Sequence, residues 1–145
     1  MEASEVLSKR FVLQDIRLVW DQIQPKVAKL QQERNFDWRP EDVYAQCLAG
    51  QYFCFTLDEV FIICCPQENQ YTLAKELFIW IWYSESTEDF ADYRYAINEV
   101  AKDIYATSII FISPREGFKR LAKRHDWQSL TTYTLPVDNI CPYLP

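Results

Sequence analysis

Seven consecutive apolar residues, Leu77-Phe78-Ile79-Trp80-Ile81-Trp82-Tyr83, constrain the fold of this chain more than any other feature. A strand with one solvent-exposed face alternates apolar and polar residues, whereas an uninterrupted apolar run predicts burial on both faces. This strand must therefore lie inside a sheet that other elements cover on each side. A chain of 145 residues has room for one such core. We expect a single domain over residues 1–137 and an irregular tail over 138–145.

The residues before this strand predict two helices. Apolar residues recur every three or four positions from Leu13 to Leu30, which indicates a helix, and Pro25 should kink it or divide it into two short helices near Gln24. Arg39-Pro40 begins a second helix, because proline suits the first helical turn, and Gly50 ends it. Residues Glu5–Arg10 are read as a short first strand.

The rest of the chain predicts strands and helices in alternation. Aromatic and β-branched residues on either side of Asp58-Glu59 indicate a tight hairpin. A hydroxyl followed three residues later by an acid, at Ser86, is typical of a helix start. The remaining predicted elements are the hairpin strands Gln51–Leu57 and Val60–Cys65, a long helix to about Ala106, a strand at Ser108–Ile112, a helix at Glu116–His125 and a last strand at Trp127–Val137.

This order of elements predicts an α/β fold. A strand-helix-strand crossover joins parallel strands, while the hairpin that precedes it is antiparallel. We therefore expect a central mixed β-sheet with helices on both faces and one β-α-β crossover.

Charge and hydropathy argue against two classes of partner. The net charge is −6, so nucleic acid is repelled on average, and the basic residues Lys119, Arg120, Lys123 and Arg124 are interpreted as a solvated helix face. No apolar run approaches the ~20 residues that a membrane span requires. We expect no transmembrane segment, no secretion signal and no membrane partner.

The five cysteines, at positions 47, 54, 64, 65 and 141, do not predict a metal site. They contain no CxxC pair and no histidine at ligand spacing. The only histidine, His125, follows a basic helix end, where a cation suits the helix dipole. We expect no metal, no Cys-His nucleophile and a reducing compartment.

Three segments resemble a known family. They are Trp38-Arg39-Pro40-Glu41-Asp42-Val43-Tyr44, Gly50-Gln51-Tyr52, and Ser113–Leu121 followed by Asp126-Trp127. With the order of elements from Glu5 to Val137, they resemble the GNAT superfamily (GCN5-related N-acetyltransferases), and most closely the small GNAT-like proteins of tailed bacteriophages. Asp126 stands where those proteins usually have glycine.

The resemblance directs attention to the loop after the apolar strand. Working GNAT enzymes have an Arg/Gln-x-x-Gly-x-Gly/Ala loop there, whose backbone N–H groups bind the pyrophosphate of coenzyme A at a helix N-terminus. Here the loop has no glycine, arginine or lysine, and Glu85, Glu88 and Asp89 would repel the phosphates. We expect no cofactor; if acetyl-CoA does bind, the candidate residues are Tyr83, Ser84, Ser86 and Thr87.

The resemblance assigns no catalytic residue. The family often uses a glutamate on a middle strand as a base and a tyrosine on the helix after the crossover strand as an acid. Glu76 begins the central strand and is interpreted as solvated, and neither Tyr105 nor Tyr133 matches the position of the acid.

We therefore expect a non-catalytic GNAT-like phage protein that binds another protein, either a phage structural protein or a host protein, in the host cytoplasm or the virion. Aromatic residues make up 16% of the chain, which favours an interaction surface. The candidate cleft has Trp80, Trp82 and Tyr83 on one side and Arg115 and Phe118 on the other. The alternative is an acyl-CoA-dependent N-acetyltransferase with a divergent loop.

Overall fold

The computed structural model describes residues 9–84, 89–112, 116–124, 126–129 and 136. These residues belong to two compact units, Met1–Pro114 and Arg115–Pro145. The predicted domain over 1–137 and tail over 138–145 stay predictions.

The first unit contains a sheet and three helices. Its elements in chain order are β1 (Val12–Gln14), α1 (Ile16–Arg34), α2 (Pro40–Leu48), β2 (Phe53–Leu57), β3 (Val60–Glu68), β4 (Lys75–Tyr83), α3 (Asp89–Asp103) and β5 (Ser108–Phe111). The second unit contains helix α4 (Glu116–Arg124).

The sheet has five strands in the order β1-β2-β3-β4-β5. The first four pair antiparallel, and β5 pairs parallel to β4 after the crossover through α3. The predicted α/β class with a mixed sheet and a β-α-β crossover is confirmed.

Helices cover the two faces of this sheet. On one face, Ile63 and Ile81 pack with apolar residues of α1 and α2, among them Ile23, Val27 and Val43. On the other face, the Trp82 ring lies 6.1 Å from the ring of Tyr93 on α3. The two faces are called here the α1–α2 face and the α3 face. The apolar strand β4 is thus buried from both sides, as its sequence predicts.

The start of the chain differs from its prediction. The first strand is Val12–Gln14, so the strand predicted at Glu5–Arg10 is wrong for Lys9 and Arg10, and residues 5–8 lie outside the described part. Helix α1 begins only at Ile16, because the Asp15 side chain accepts a hydrogen bond from the backbone N–H of Arg17 at 3.0 Å and caps the helix there.

Pro25 does not divide α1. The helix runs unbroken from Ile16 to Arg34 with Pro25 inside it, so the two-helix alternative is wrong. Proline at position 25 deprives the carbonyl of Asp21 of its helical partner, but Asp21 is exposed, and water can satisfy that carbonyl. Packing of Ile23 and Val27 on either side of the proline holds the helix together.

The other elements agree with the sequence to within a few residues, including the hairpin turn at Asp58-Glu59. In the last predicted strand, Trp127–Val137, residues 127–129 are not in a strand, so the prediction is wrong there, and most of the remainder lies outside the described residues. Among the helices described, none is both long and apolar enough to span a bilayer.

Candidate functional site

The pairing of strand β4 with strand β5 ends before β4 does, because β5 stops at Phe111. Their pairing covers only Glu76 to Ile79 on β4, opposite Ser108 to Phe111 on β5, whereas β4 continues to Tyr83. In open α/β sheets, ligands bind at the carboxyl ends of strands where neighbouring connections diverge. This feature, called here the β4–β5 opening, is the first component of the candidate site.

A β-bulge lies on β4 beside this opening. Consecutive residues Ile63 and Cys64 of β3 pair with Ile81 and Ile79, so Trp80 is an extra residue with no partner in the β3–β4 register. A bulge of this kind redirects the side chains that follow it. It places Trp80, Ile81 and Tyr83 on the α1–α2 face.

The bulge separates the aromatic residues of the predicted interaction cleft. Tyr83 is 8% exposed and stacks on Phe61 at 5.2 Å, on the same face as Trp80. Trp82 is 6% exposed and lies on the opposite face, next to α3. Arg115 and the side chain of Phe118 lie outside the described part of the chain, and the predicted cleft stays a prediction.

Four aromatic rings gather beside the bulge, and they are called here the aromatic cluster. The Trp80 ring lies 4.8 Å from the Tyr52 ring and 5.7 Å from the Trp38 ring. Phe36 stacks on Trp38 at 5.1 Å. All four side chains are half-buried, so the cluster packs on the core and still reaches solvent.

The segment that carries two of these rings is held at both ends. After α1, the backbone N–H of Phe36 donates to the carbonyl of Gln31 at 3.2 Å, and the Gln31 side chain donates back to the carbonyl of Phe36 at 2.8 Å. Before α2, the Arg39 backbone N–H donates to the Asp42 carboxylate at 2.8 Å. Because hydrogen bonds hold both ends of the connection between α1 and α2, the positions of Phe36 and Trp38 are fixed.

The thiols near this cluster are protonated at neutral pH. Burial raises the pKa of Cys47 to about 11 and those of Cys54 and Cys64 to about 12. Burial also raises the pKa of Cys65, although a hydrogen bond with Tyr52 opposes the shift. None of the four described cysteines is therefore suited to act as a thiolate, and the described residues contain no group of three side chains that could hold a metal ion.

A polar cluster joins three distant parts of the chain. Lys9 forms an ion pair with Asp58 in the hairpin turn, and the Tyr93 hydroxyl donates to the same carboxylate at 3.4 Å. The hydrogen bond to Asp58 raises the pKa of Lys9, and burial raises that of Tyr93. This cluster links α3 to the hairpin. Sequence reasoning missed it, since no pattern connects positions 9, 58 and 93.

The residues weighed as catalytic in the sequence do not meet at the opening. Glu76 accepts a hydrogen bond from Gln67 at 3.2 Å and precedes Tyr83 by seven residues of strand, a separation of about 23 Å at ~3.3 Å per residue. Tyr105 is 80% exposed. His125 and Tyr133 lie outside the described residues.

Of the candidate cofactor residues, two are described. Ser84 follows β4 directly and is 6% exposed, and Tyr83 has its ring in the core of the α1–α2 face. Ser86 and Thr87 lie outside the described residues, so their predicted role is untested.

Tyr52 also lines a cleft of about 350 Å³. Its lining comes from the start of α1, the end of α2 and the start of β2, and includes Gln14, Asp15, Ile16, Arg17, Cys47, Leu48, Tyr52, Phe53 and Cys54. Its size lies in the range of small-molecule sites. Tyr52 belongs to both this cleft and the aromatic cluster.

Solved structures resemble this chain closely in fold and weakly in sequence. No family model and no curated protein matches it. A probable acetyltransferase aligns with a TM-score of 0.62 and 14% identity, covering 90% of this chain and 99% of the other. The fold is that of the GNAT acetyltransferases.

Other structures with the GNAT fold extend this similarity. A ribosomal-protein-alanine N-acetyltransferase from Brucella melitensis aligns with a TM-score of 0.58 and 15% identity over 86% of this chain and 99% of its own. An aminoglycoside acetyltransferase from an uncultured soil metagenomic sample, in complex with sisomicin, aligns with a TM-score of 0.60 and 8% identity. The alignment covers 94% of this chain and 100% of the other. These likenesses carry no link to tailed bacteriophages, so that part of the resemblance stays a prediction.

Proposed function

We propose that this chain is an acyl-CoA-dependent N-acyltransferase that transfers an acetyl group to an amine. The observation that carries the proposal is the β4–β5 opening beside the bulged Trp80. The proposal is also supported by the GNAT fold, which the chain shares with structures described as acetyltransferases. It replaces the expectation of a non-catalytic protein, which rests on the acidic loop, the aromatic content and the net negative charge.

The opening suits the extended arm of acetyl-CoA. Pairing with β5 stops at Ile79, so the next residues of β4, Trp80 and Ile81, border the opening. An extended chain that contains amides can add to a strand through main-chain hydrogen bonds. We propose that β4 binds the pantetheine arm in this way and so directs the thioester toward the bulge.

The phosphates of the donor fit this chain less well. Helix α3 begins at Asp89, shortly after β4 ends, and a helix N-terminus favours an anion. The sequence between them, however, brings Glu85 and Glu88, the helix itself starts with Asp89, and none of these residues is basic. We therefore propose that binding of the donor depends mainly on its arm.

Acetyl-CoA supplies an activated thioester. Its reaction with an ammonium substrate forms the amide C–N bond, breaks the C–S bond and takes two protons from the nitrogen; the departing thiolate gains one of them, and a base must accept the other. The part of the chain that the structure describes brings no carboxylate or imidazole to the opening that would accept this proton. Glu76 lies at the opposite end of β4. We propose that the ammonium ion gives one proton to solvent water before the attack, and that the second proton of the nitrogen passes to the departing thiolate.

A second candidate function is binding without catalysis. The feature that favours it is the acidic loop, with three acids and no glycine, arginine or lysine over residues 84–89. In this case the opening is occupied by a protein partner, and acetyl-CoA neither binds nor reacts.

Thiol release and calorimetry separate the two functions. We expect acetyl-CoA to bind with a dissociation constant in the tens of micromolar range, and a thiol to be released when an amine is added. Ser86→Asp adds a further negative charge and should weaken binding several-fold, whereas Ser129→Asp, on an exposed residue of the second unit, should leave it unchanged. No heat of binding at millimolar acetyl-CoA contradicts the acyltransferase function and supports the second candidate.

A further inference from the structure

Strand β1 forms one edge of the sheet. It pairs with β2 through Val12, Leu13 and Gln14, and in the part of the chain that the structure describes no strand pairs with its outer side. The outer side of an edge strand presents backbone N–H and C=O groups that can pair with another strand. The three residues of β1 include no lysine and no proline, the residues that commonly protect such an edge.

Apolar side chains surround this edge. Val12 and Leu13 point to opposite faces of the sheet, and each is more than half exposed. Further exposed apolar side chains lie beside the strand, at the start of α1, the end of α2 and the start of β2; they are Leu18, Leu48 and Phe53. Leu48 and Phe53 line the same cleft as Gln14, so this surface is continuous with β1. The five apolar side chains are called here the β1 patch, and a contiguous exposed patch of this kind is typical of an interaction site.

The acids next to the β1 patch are neutralised within the chain. Asp15, which follows β1, forms an ion pair with Arg17 at 2.8 Å, and Asp58 in the hairpin turn forms one with Lys9. The whole chain has a net charge of −6, so two copies of it repel each other on average. At the β1 patch two copies can approach with little of that repulsion.

The charges at the two ends of β1 suit a second copy in antiparallel orientation. Lys9 and Arg10 precede the strand, and Asp15 follows it. When two identical strands pair antiparallel, the basic end of each lies beside Asp15 of the other, whereas parallel pairing sets like charges side by side. A second copy also brings a strand that is already extended, whereas a flexible peptide would lose conformational entropy on pairing.

We infer that the β1 edge joins two copies of this chain into a dimer, in which the two β1 strands pair antiparallel about a two-fold axis near Leu13. The two sheets then form one continuous sheet. A strand of three residues supplies few hydrogen bonds, so burial of the β1 patch provides much of the free energy of association. Since the axis uses the β1 edge of both copies, assembly through this edge stops at the dimer. The inference goes beyond the proposed acyl transfer and does not depend on it.

Sedimentation velocity of the full chain, from about 1 µM to about 100 µM, tests for this dimer. We expect the mass to rise from that of the monomer toward that of the dimer, or to be that of the dimer throughout. A monomer at every concentration overturns the inference, because the edge is then free or covered by other residues of the same chain. A mass that grows beyond the dimer contradicts the closed two-fold arrangement.

Two substitutions locate the interface on β1. Val12→Lys and Leu13→Lys place a charge on either face of the strand, and each should weaken the dimer roughly ten-fold or more because the charge would lose its water in the interface. Leu73→Lys is the matched control, since Leu73 is an exposed leucine between β3 and β4, outside the β1 patch. Circular dichroism checks folding, and if one β1 variant unfolds the other decides. A dimer that survives the β1 substitutions, or that Leu73→Lys weakens equally, contradicts the inference.

Amide hydrogen exchange distinguishes strand pairing from contact between side chains alone. Exchange over Val12–Gln14 should slow as the concentration rises across the same range, and Leu13→Lys should remove this protection. A dimer that forms with no change of exchange in β1 overturns the pairing of the two strands.

Discussion

The buried thiols of Cys54 and Cys64 should make the protein less stable at alkaline pH. Both side chains are 1% exposed, and burial raises the pKa of each thiol from 9.0 to about 12. A group whose pKa is raised in the folded state stabilises it fully below the unfolded pKa, and this stabilisation is lost as the pH rises toward the folded value. The loss should therefore run from about pH 9 to about pH 12.

The magnitude follows from the linkage between pKa and stability. At pH 10, about one unit above the unfolded pKa, each thiol loses about 1.4 kcal/mol of stabilisation. The two together lose ~3 kcal/mol, a large part of the ~5–15 kcal/mol that stabilises a typical domain.

Urea unfolding at pH 7.5 and pH 10, with a reductant present, measures this loss. The comparison is between the natural chain and the double variant Cys54→Ala, Cys64→Ala, in which all lysines and tyrosines titrate equally and cancel. The variant should be less stable at pH 7.5 because of its cavities, but should lose ~3 kcal/mol less on the change to pH 10. Equal losses in the two proteins would show that burial does not keep these thiols protonated.

Three further predictions concern the acidic loop, the polar cluster on α3 and the proton of the acceptor. Glu85→Gln with Glu88→Gln should tighten acetyl-CoA binding several-fold and leave binding of phosphate-free acetyl-pantetheine unchanged; calorimetry with both donors checks this, and equal gains contradict it. Tyr93→Phe removes the hydroxyl that donates to Asp58 at 3.4 Å and should cost about 1 kcal/mol in urea unfolding, while Tyr105→Phe, on a side chain 80% exposed, should cost nothing measurable. The transfer rate should rise with pH up to the pKa of the free amine, and a plateau near pH 6–7 would instead reveal a base on the protein.

Much of the fold could be predicted because its signals are local. The change from helical to strand-like spacing after Gly50 predicts the hairpin, and Pro40 predicts the start of α2. The apolar run of β4 predicts a strand covered on both faces, which α1, α2 and α3 provide. Each of these inferences depends on residues adjacent in the chain.

The candidate site could not be predicted in the same way, because it depends on pairing between distant segments. Simple alternation would place Trp80 and Trp82 on one face of the sheet, but the bulge opposite Ile63 and Cys64 puts them on opposite faces. The meeting of Trp38 and Tyr52 at Trp80 likewise follows from how α1, α2 and β2 pack. No spacing in the sequence carries that information.

The same distinction explains why the loop sequence pointed toward a protein without catalysis. Absence of glycine and arginine over residues 84–89 is a local signal about phosphates, and it says nothing of the arm of the donor. The opening beyond Ile79 is a property of the sheet.

Amide hydrogen exchange of β4, with and without acetyl-CoA, tests most directly whether the β4–β5 opening binds an acyl donor. Saturating acetyl-CoA should slow exchange at Trp80 and Ile81, which border the opening, and leave exchange in β1 unchanged. No protection at these residues at millimolar acetyl-CoA, or protection confined to another strand, would contradict binding of the acyl donor along β4.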